Sequence, residues 1–370
     1  MLLIKIIFLF FMLCSCYCAE VSTIAEAKHN GFRFFVRHQG ADGSWNPSTY
    51  AEKCTEDGVK CEPGQSNDND NIALTADIIY LFLCGGYDHL TPNRYRLVMM
   101  KAVNWLSDQD KGQGVFGETV ETQSKSTRAL CKIYSMLGTQ KMGELAQNAI
   151  NHLLKQRLLD DGKKPLVWGD SKTGTINTAL SLDALMALRV AQEGGLNIGD
   201  SYVRSKLWFK NAWKTANVNW GKMKNEDNNS AFFPSLFHLN GVFSGTDTSA
   251  GVCIALLSGC SADDIEMETL LNAIDLTFPN TDHSVPLDLR SFYLNSFAAF
   301  HIGNSRWAMR RESVLSILEK GPCKHPACYE GSWDFSKQLH TNKERGRLQS
   351  TVYAELTSTI LFLYKRIGEK

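Results

Sequence analysis

The sequence predicts an all-α protein built as an α6/α6 double ring, a toroid in which six helical hairpins alternate between an outer and an inner layer. Two observations lead to this prediction. An amphipathic helix that ends in a Gln, a turn and a Trp recurs along the chain, and each ending precedes a second helix that is more apolar around its circumference. Six such hairpins can close into a ring with the second helices inside, because the more apolar helix of each pair is the one to bury.

The recurring ending is clearest between His38 and Pro47, where the chain reads HQGADGSWNP. Gln39 can bond the backbone at the helix end, the Asp-Gly pair at residues 42–43 favours a turn, and Trp45 is expected to stack beside the next inner helix. We interpret the motif as a structural clasp between the two layers. The predicted clasp residues are Gln39, Trp45, Gln109, Phe116, Gln156, Trp168, Trp220 and Trp333.

The spacing of these endings sets the number of repeats. Trp168 follows Phe116 by 52 residues, and Trp220 follows Trp168 by the same interval. The interval from Trp220 to Trp333 is about twice as long, so an unmarked repeat is predicted near residues 270–279. The first interval is also long, because it contains a Cys-containing insertion at residues 46–69.

The second helix of each repeat is predicted from its Ala- and Leu-rich run. These runs lie at residues 72–84, 127–137, 178–190, 249–257, 289–300 and 351–364. Side chains that accept from the free N–H groups of a first turn stand at or near the start of each run. The predicted caps are Asp70 or Asn71, Ser126, Asn177, Asp247, Asp288 and Ser350.

The composition favours one compact folded body. The chain has 370 residues, of which 44% are hydrophobic, and this is enough for a large core. Its 39 basic and 39 acidic residues balance, so neither a nucleic-acid-binding surface nor a disordered acidic tail is predicted. We expect a leader at residues 1–19 and a single toroid domain over residues 20–370.

The N-terminus has the pattern of a targeting segment. Lys5 supplies a positive charge, residues 6–13 form a short apolar run, and cleavage could follow residue 18 or 19. The tetrapeptide LCSC at residues 13–16 also resembles a lipobox, in which Cys16 would carry lipid. We therefore expect an exported protein that is periplasmic, secreted or anchored as a lipoprotein, with contact to a membrane only through Cys16.

The cysteines of an exported chain are candidates for disulfides. Three of the 11 cysteines lie in the leader, which leaves an even number in the mature chain. Cys54 and Cys61 flank an acidic loop, and Cys323 and Cys328 flank the tetrapeptide KHPA, so these two close pairs are the predicted disulfides. The histidines are scattered and no paired C-x-x-C occurs, so no metal site is expected.

The Q-x-x-D-G-x-W ending resembles the QW motif of the prenyltransferase/squalene-oxidase repeat. That repeat is found in the toroid superfamily of terpenoid cyclases and protein prenyltransferases. The Cys-containing insertion and the closing segment that starts CYEGSWDF resemble a group of exported bacterial repeat proteins within it. The resemblance covers residues 21–364 and implies the double-ring fold. It does not imply one function, because this fold carries unrelated activities.

The catalytic signatures of that superfamily are incomplete here. Triterpene cyclases carry a D-x-D-D acid at the start of an inner helix, and the matching positions read Asp68-Asn69-Asp70-Asn71. The lost carboxylate matters, because neighbouring carboxylates help to tune an acid that must protonate an alkene. The zinc-binding D-x-C of protein prenyltransferases and the thioester C-G-E-Q of complement-like toroids are absent. Asp70 remains a weak catalytic candidate, and no cofactor is expected.

The N-termini of the inner helices are predicted to open on one face of the ring and to form a polar rim. The candidate ligand-binding residues on this rim are Asp68, Asp70, Asp247, Asp288 and Arg290. Each Asp can also be a simple helix cap. A glycan or peptide suits such a rim, whereas an isoprenoid requires a deep apolar cavity. We expect mainly a binding or scaffolding protein. The alternative is an enzyme, either cyclase-like or carbohydrate-active, that uses rim carboxylates.

Overall fold

The computed structural model describes residues 30–54, 60–158, 167–170, 174, 176–210, 245–261, 267, 271, 287–324, 328–334 and 345–362. Within these ranges the chain forms helices and loops, and its only extended pairings are two isolated bridges, Asp110 with Phe116 and Gly169 with Ile176. The leader, Trp220 and nearly all of the unmarked repeat at residues 270–279 lie outside the described residues.

The described residues include eleven α-helices. The first seven are α1 (residues 30–37), α2 (Asp68–Cys84), α3 (Arg96–Asp108), α4 (Val120–Leu137), α5 (Gln140–Lys155), α6 (Thr178–Glu193) and α7 (residues 201–210). The others are α8 (Gly245–Leu257), α9 (Leu289–Ile302), α10 (Asn304–Lys320) and α11 (Gly346–Ile360). A short 3-10 helix, Tyr50–Lys53, lies in the insertion. Across these ranges, none of the helices combines the length and hydropathy that a membrane span requires.

Six of these helices close into an inner ring. Each of α2, α4, α6, α8, α9 and α11 packs against the next, and α11 packs against α2 to complete the circle. Outside them, α3 packs against α2, α5 against α4 and α6, and α10 against α9. The predicted all-α double ring is therefore confirmed.

A tryptophan joins an outer helix to the next inner helix at three places in the ring. The backbone N–H of the Trp donates to a hydroxyl on the inner helix in each case: Trp45 to Thr75 (3.0 Å), Trp168 to Ser181 (3.1 Å) and Trp333 to Thr351 (3.0 Å). The indole N–H of Trp45 donates to Phe35 O at 2.8 Å, and that of Trp168 to Leu153 O at 2.7 Å. All three Trp side chains are buried, so the motif acts as a tie between layers.

The Gln positions of the motif behave less uniformly. Gln39 Nε2 donates at 2.9 Å to Gly43 O in its own turn and to Val98 O in α3, which ties the first repeat to the second. Gln109 Nε2 instead donates within its own helix, to a carbonyl at 3.2 Å. At the second repeat, the Phe116 backbone N–H donates to Gln123 Oε1 at 2.8 Å, so an amide replaces the hydroxyl of the other repeats. Gln156 is half-buried at the end of α5.

Two of the six predicted N-caps are confirmed, and in the other four helices the predicted N-cap lies inside the helix. Asn177 accepts from Leu180 N, and Asp288 accepts from Ser291 N, each at 3.0 Å. The other inner helices begin earlier than predicted, with Asn67 capping α2 and Thr119 capping α4. The predicted caps that lie inside helices are Asp70 and Asn71, Ser126, Asp247 and Ser350. Asp70 nevertheless completes the cap of α2, because its carboxylate accepts from the Asn67 backbone N–H at 3.2 Å. These starts were missed because the first turns of α2, α4 and α11 are polar, and no apolar run marks them.

Candidate functional site

A narrow, charged cavity lies at the centre of the inner ring. Side chains of α2, α4, α6, α9 and α11 line it, and its polar members include Asp77, Lys125, Arg128, Asp183, Arg290 and Tyr353. The space open to the centre of a water molecule is about 10 Å³, which is about the room that one water needs. Among the described residues, the side chains that line this cavity therefore leave little free space in it.

Asp77 is the centre of the first ion cluster. Its carboxylate lies 2.8 Å from Lys125 Nζ and 2.6 Å from Arg128 Nη2, and these three side chains are at most 7% exposed. Burial alone lowers the pKa of a lysine, but Asp77 and Glu121 outweigh it and raise the pKa of Lys125. The Arg128 guanidinium also lies 4.4 Å from the ring centroid of Tyr80. This cluster fixes α2 against α4.

Arg345 forms the second ion cluster, immediately before α11. It lies 2.6 Å from Asp70 Oδ1 and 2.6 Å from Glu121 Oε1, so it joins the starts of α11, α2 and α4. Glu121 also lies 2.8 Å from Lys125 Nζ, which links the second cluster to the first. Burial acts to raise the pKa of Glu121, but Lys125 and Arg345 outweigh it and hold this pKa well below its usual range. We call these two linked clusters the ion network.

A third ion pair crosses from α9 to α6 on the wall of the cavity. Arg290 Nη2 lies 3.2 Å from Asp183 Oδ2, and the Arg290 guanidinium lies 6.0 Å from the Tyr353 ring centroid. Burial raises the pKa of Asp183, and the attraction of Arg290 only partly opposes it. The pKa of the Asp183 carboxyl therefore lies above the usual value of an aspartate.

The structure separates the five predicted rim residues. Asp68 is exposed at the start of α2, whereas Asp70 is buried and paired with Arg345. Asp288 caps α9, and Arg290 reaches the cavity. Asp247 lies in the first turn of α8, but its side chain is outside the described part of the structure.

Sequence reasoning missed most of the charges that meet inside the ring: Asp77, Glu121, Lys125, Arg128, Asp183 and Arg345. A signal was present for two of them. Asp77 and Asp183 each interrupt a second helix that is otherwise largely apolar, in the segments LTADIIY and LSLDALM. A lone carboxylate in such a helix is expected to be paired, because an unpaired buried charge is costly.

The predicted disulfides are not formed. No disulfide joins any of the eight cysteines within the described residues, and Cys328 lies beside Cys61 instead of Cys323, with the two Sγ atoms 3.4 Å apart. That separation exceeds the S–S bond length of about 2.05 Å. Cys323 N–H donates to Ser332 O at 2.8 Å and Gly331 N–H donates to Cys323 O at 2.9 Å, so Cys323 is held against residues 331–332 while Cys328 lies beside Cys61.

One group of side chains in the described ranges has the spacing that a metal ion requires. His38, Cys54, Cys61 and Cys328 place one ligand atom each within 4.8 Å of the others, and all four are buried. His38 Nε2 lies 3.5 Å from Cys54 Sγ and 3.4 Å from Cys61 Sγ. Burial lowers the pKa of His38 to about 4, so its imidazole is uncharged at neutral pH. The scattered histidines and the lack of a paired C-x-x-C gave no sign of a metal site in the sequence, whereas the structure brings these four side chains together from distant segments.

Comparison with known proteins gives a fold. Three solved structures of the type II terpene cyclase MstE from Scytonema align with the chain at 10% identity. An apo variant gives a TM-score of 0.54 over 93% of this chain and 99% of that chain, and a variant in complex with merosterolic acid A, its product, gives 0.54 over 92% and 98%. A third structure, of apo MstE, gives a TM-score of 0.51 over 92% of this chain and 98% of that chain. This chain has a terpene cyclase-like toroid fold.

No protein-family model matches the sequence. No curated protein matches it either. At 10% identity the likeness to MstE concerns the path of the backbone, and the side chains of the ring interior must be interpreted by their own chemistry.

Proposed function

We propose that this terpene cyclase-like toroid is a binding or scaffolding protein that does not cyclise isoprenoids. The observation that carries the proposal is the charged interior of the ring. Four carboxylates face four cations there: Asp70, Asp77, Glu121 and Asp183 with Lys125, Arg128, Arg290 and Arg345. These pairs join α2, α4 and the start of α11 in one group, and α6 and α9 in another, so each group fixes neighbouring helices against each other.

The same interior is a poor host for a hydrocarbon chain. Small-molecule pockets in proteins are mostly apolar, whereas two aspartates, a lysine and two arginines line this cavity, which has room for about one water molecule. An isoprenoid would have to displace paired side chains and leave charges unsolvated, which costs several kcal/mol per ion. A ligand is therefore expected on the exposed rim of the ring, where carboxylates such as Asp68 can accept hydrogen bonds from a glycan or a peptide.

The experiment measures thermal unfolding of the full chain against a panel of oligosaccharides, peptides and isoprenoid diphosphates, with mass spectrometry of the isoprenoid reactions. We expect a glycan or peptide to raise Tm and no isoprenoid to be converted. Asp68→Lys should abolish the Tm shift, and it should lower the Tm of the free protein only slightly, because it replaces an acidic residue in the first turn of α2 with a cation. Glu144→Lys, the same charge change at an exposed position of α5, is the matched control. A cyclised isoprenoid product would overturn the proposal.

One observation favours the enzyme alternative. Asp183 faces the cavity, and burial raises its pKa, so this carboxyl can hold a proton that general acid catalysis requires. Asp70, in contrast, is not among the residues that line the cavity, and its carboxylate accepts hydrogen bonds from Arg345 and from the Asn67 backbone N–H. If the chain is an acid catalyst, Asp183→Asn should abolish turnover and Asp70→Asn should reduce it only as far as stability falls. The reverse ranking contradicts this assignment.

A further inference from the structure

We propose that His38, Cys54, Cys61 and Cys328 form a structural Zn²⁺ site that fastens the last repeat of the ring to the first. The site is independent of any ligand or reaction of the toroid. Binding is a simple exchange: three thiol protons leave to solvent as three Zn–S bonds form, His38 adds a Zn–N bond, and no electrons are transferred.

Three of the distances between the ligand atoms are close to those of a tetrahedral zinc centre, and all four atoms lie within 4.8 Å of one another. Zn–S bonds of about 2.3 Å and a Zn–N bond of about 2.0 Å place neighbouring ligand atoms about 3.5–3.8 Å apart. The measured separations from His38 Nε2 are 3.5 Å to Cys54 Sγ and 3.4 Å to Cys61 Sγ, and Cys61 Sγ lies 3.4 Å from Cys328 Sγ. Soft thiolates with one imidazole favour zinc over magnesium or calcium.

The hydrogen bonds around the cluster prepare its atoms for a metal. His38 Nδ1 lies 2.8 Å from Phe34 O, and because a carbonyl only accepts, Nδ1 carries the proton and Nε2 keeps its lone pair for the metal. The Cys61 backbone N–H points to Cys54 Sγ at 3.4 Å, and such a donor stabilises a thiolate. Arg37 donates to Cys328 O at 3.2 Å, which brings a cation beside a centre with one net negative charge.

Burial makes this site closed and therefore structural. His38 is 1% exposed, Cys61 and Cys328 are 4% exposed, and Cys54 is 7% exposed. The protein supplies all four ligands, so no coordination position is open to a substrate. Cys61 and Cys328 are 267 residues apart in sequence, and the zinc ion would link the insertion after α1 to the loop before α11.

The test measures the metal content of the full chain, purified with Zn²⁺ and a reductant, by inductively coupled plasma mass spectrometry. We expect about one zinc per chain, and less than about 0.1 in Cys61→Ala and Cys328→Ala. Cys131→Ala is the matched control, because Cys131 is equally buried but lies outside the cluster; it should keep its zinc. A wild-type protein without zinc, or with iron or copper in its place, would overturn the assignment. So would zinc retained in both cluster variants.

A second measurement covers variants that do not fold. Wild-type protein freed of metal with a chelator should have a lower Tm, and Zn²⁺ should restore it while Mg²⁺ should not. One equivalent of Co²⁺ should give the intense visible absorption of a tetrahedral thiolate centre. Cobalt bands typical of octahedral oxygen ligands, or a Cys61–Cys328 disulfide in the reduced preparation, would contradict the proposal.

Discussion

Glu121 contacts two cations at once, with Lys125 Nζ at 2.8 Å and Arg345 Nη1 at 2.6 Å. Its side chain is 24% exposed, so solvent screens these pairs only in part. Each cation has a second carboxylate of its own, Asp77 for Lys125 and Asp70 for Arg345. A buried charge is tolerated when it is paired and is costly when a partner is removed, so each residue of the ion network depends on the others.

The pH dependence of stability should report the low pKa of Glu121. Because this pKa lies below its usual range in the folded protein, the unfolded chain takes up the proton first as the pH falls through about 4.3. The stabilisation from Glu121 is therefore present above that pH and is lost below it. Urea unfolding from pH 7 to pH 3 should show a shallower loss of stability in Glu121→Gln than in wild type. Equal slopes at an unchanged m-value would contradict the prediction.

At the scale of single elements, the inner helices are tied to the outer layer through backbone N–H groups of the clasp residues. Thr75 is fully buried in α2, and its hydroxyl accepts from the Trp45 backbone N–H at 3.0 Å. Ser181 and Thr351 repeat the bond in α6 and α11. A buried N–H that loses its acceptor bears its full desolvation penalty, so a small hydroxyl fixes the position of a whole hairpin.

Thr75→Val tests this tie, because Val keeps the shape of Thr and removes the acceptor. We expect the free energy of unfolding to fall by about 1–3 kcal/mol, the cost of an unsatisfied buried N–H. Thr75→Ser is the control: it keeps the hydroxyl and loses one methyl, worth about 0.8 kcal/mol. Chemical denaturation of both variants decides the matter. A Val variant as stable as wild type would show that the bond does not contribute.

The sequence predicted the elements of this fold better than their starts or their partners. Apolar runs located α2, α4, α6, α8, α9 and α11 because most of each inner helix packs in the core. The first turn of α4 is buried among charges and hydroxyls, so apolar periodicity could not detect it. The sequence could not predict that Cys61 lies beside Cys328, because the closure of the ring, and not local spacing, brings the two residues together.

The whole molecule is a ring closed by contacts between its first and last repeats. Asp70 and Arg345 are 275 residues apart in sequence, and they pair where α11 packs against α2. Nearby, Arg37 Nη2 donates to Glu330 O at 2.7 Å. An open repeat array has free ends that each contact one neighbour, whereas here both ends are covered. The pairs at this seam should therefore affect the stability of the complete ring.

A double-mutant cycle on Asp70 and Arg345 measures that closure. Asp70→Asn and Arg345→Gln each leave a buried charge with fewer partners, but the double variant removes both charges. We therefore expect the two free energy changes to be non-additive, with a coupling of about 1–3 kcal/mol. Asp70→Asn combined with Arg189→Gln is the control, because Arg189 pairs with Glu193 on α6; these changes should add within about 0.5 kcal/mol.

The measurement is urea unfolding followed by circular dichroism, with equal m-values as the criterion for comparable folds. A coupling below about 0.5 kcal/mol for Asp70 and Arg345 would show that the seam does not hold the ring through this pair. Closure would then depend on the packing of α11 against α2.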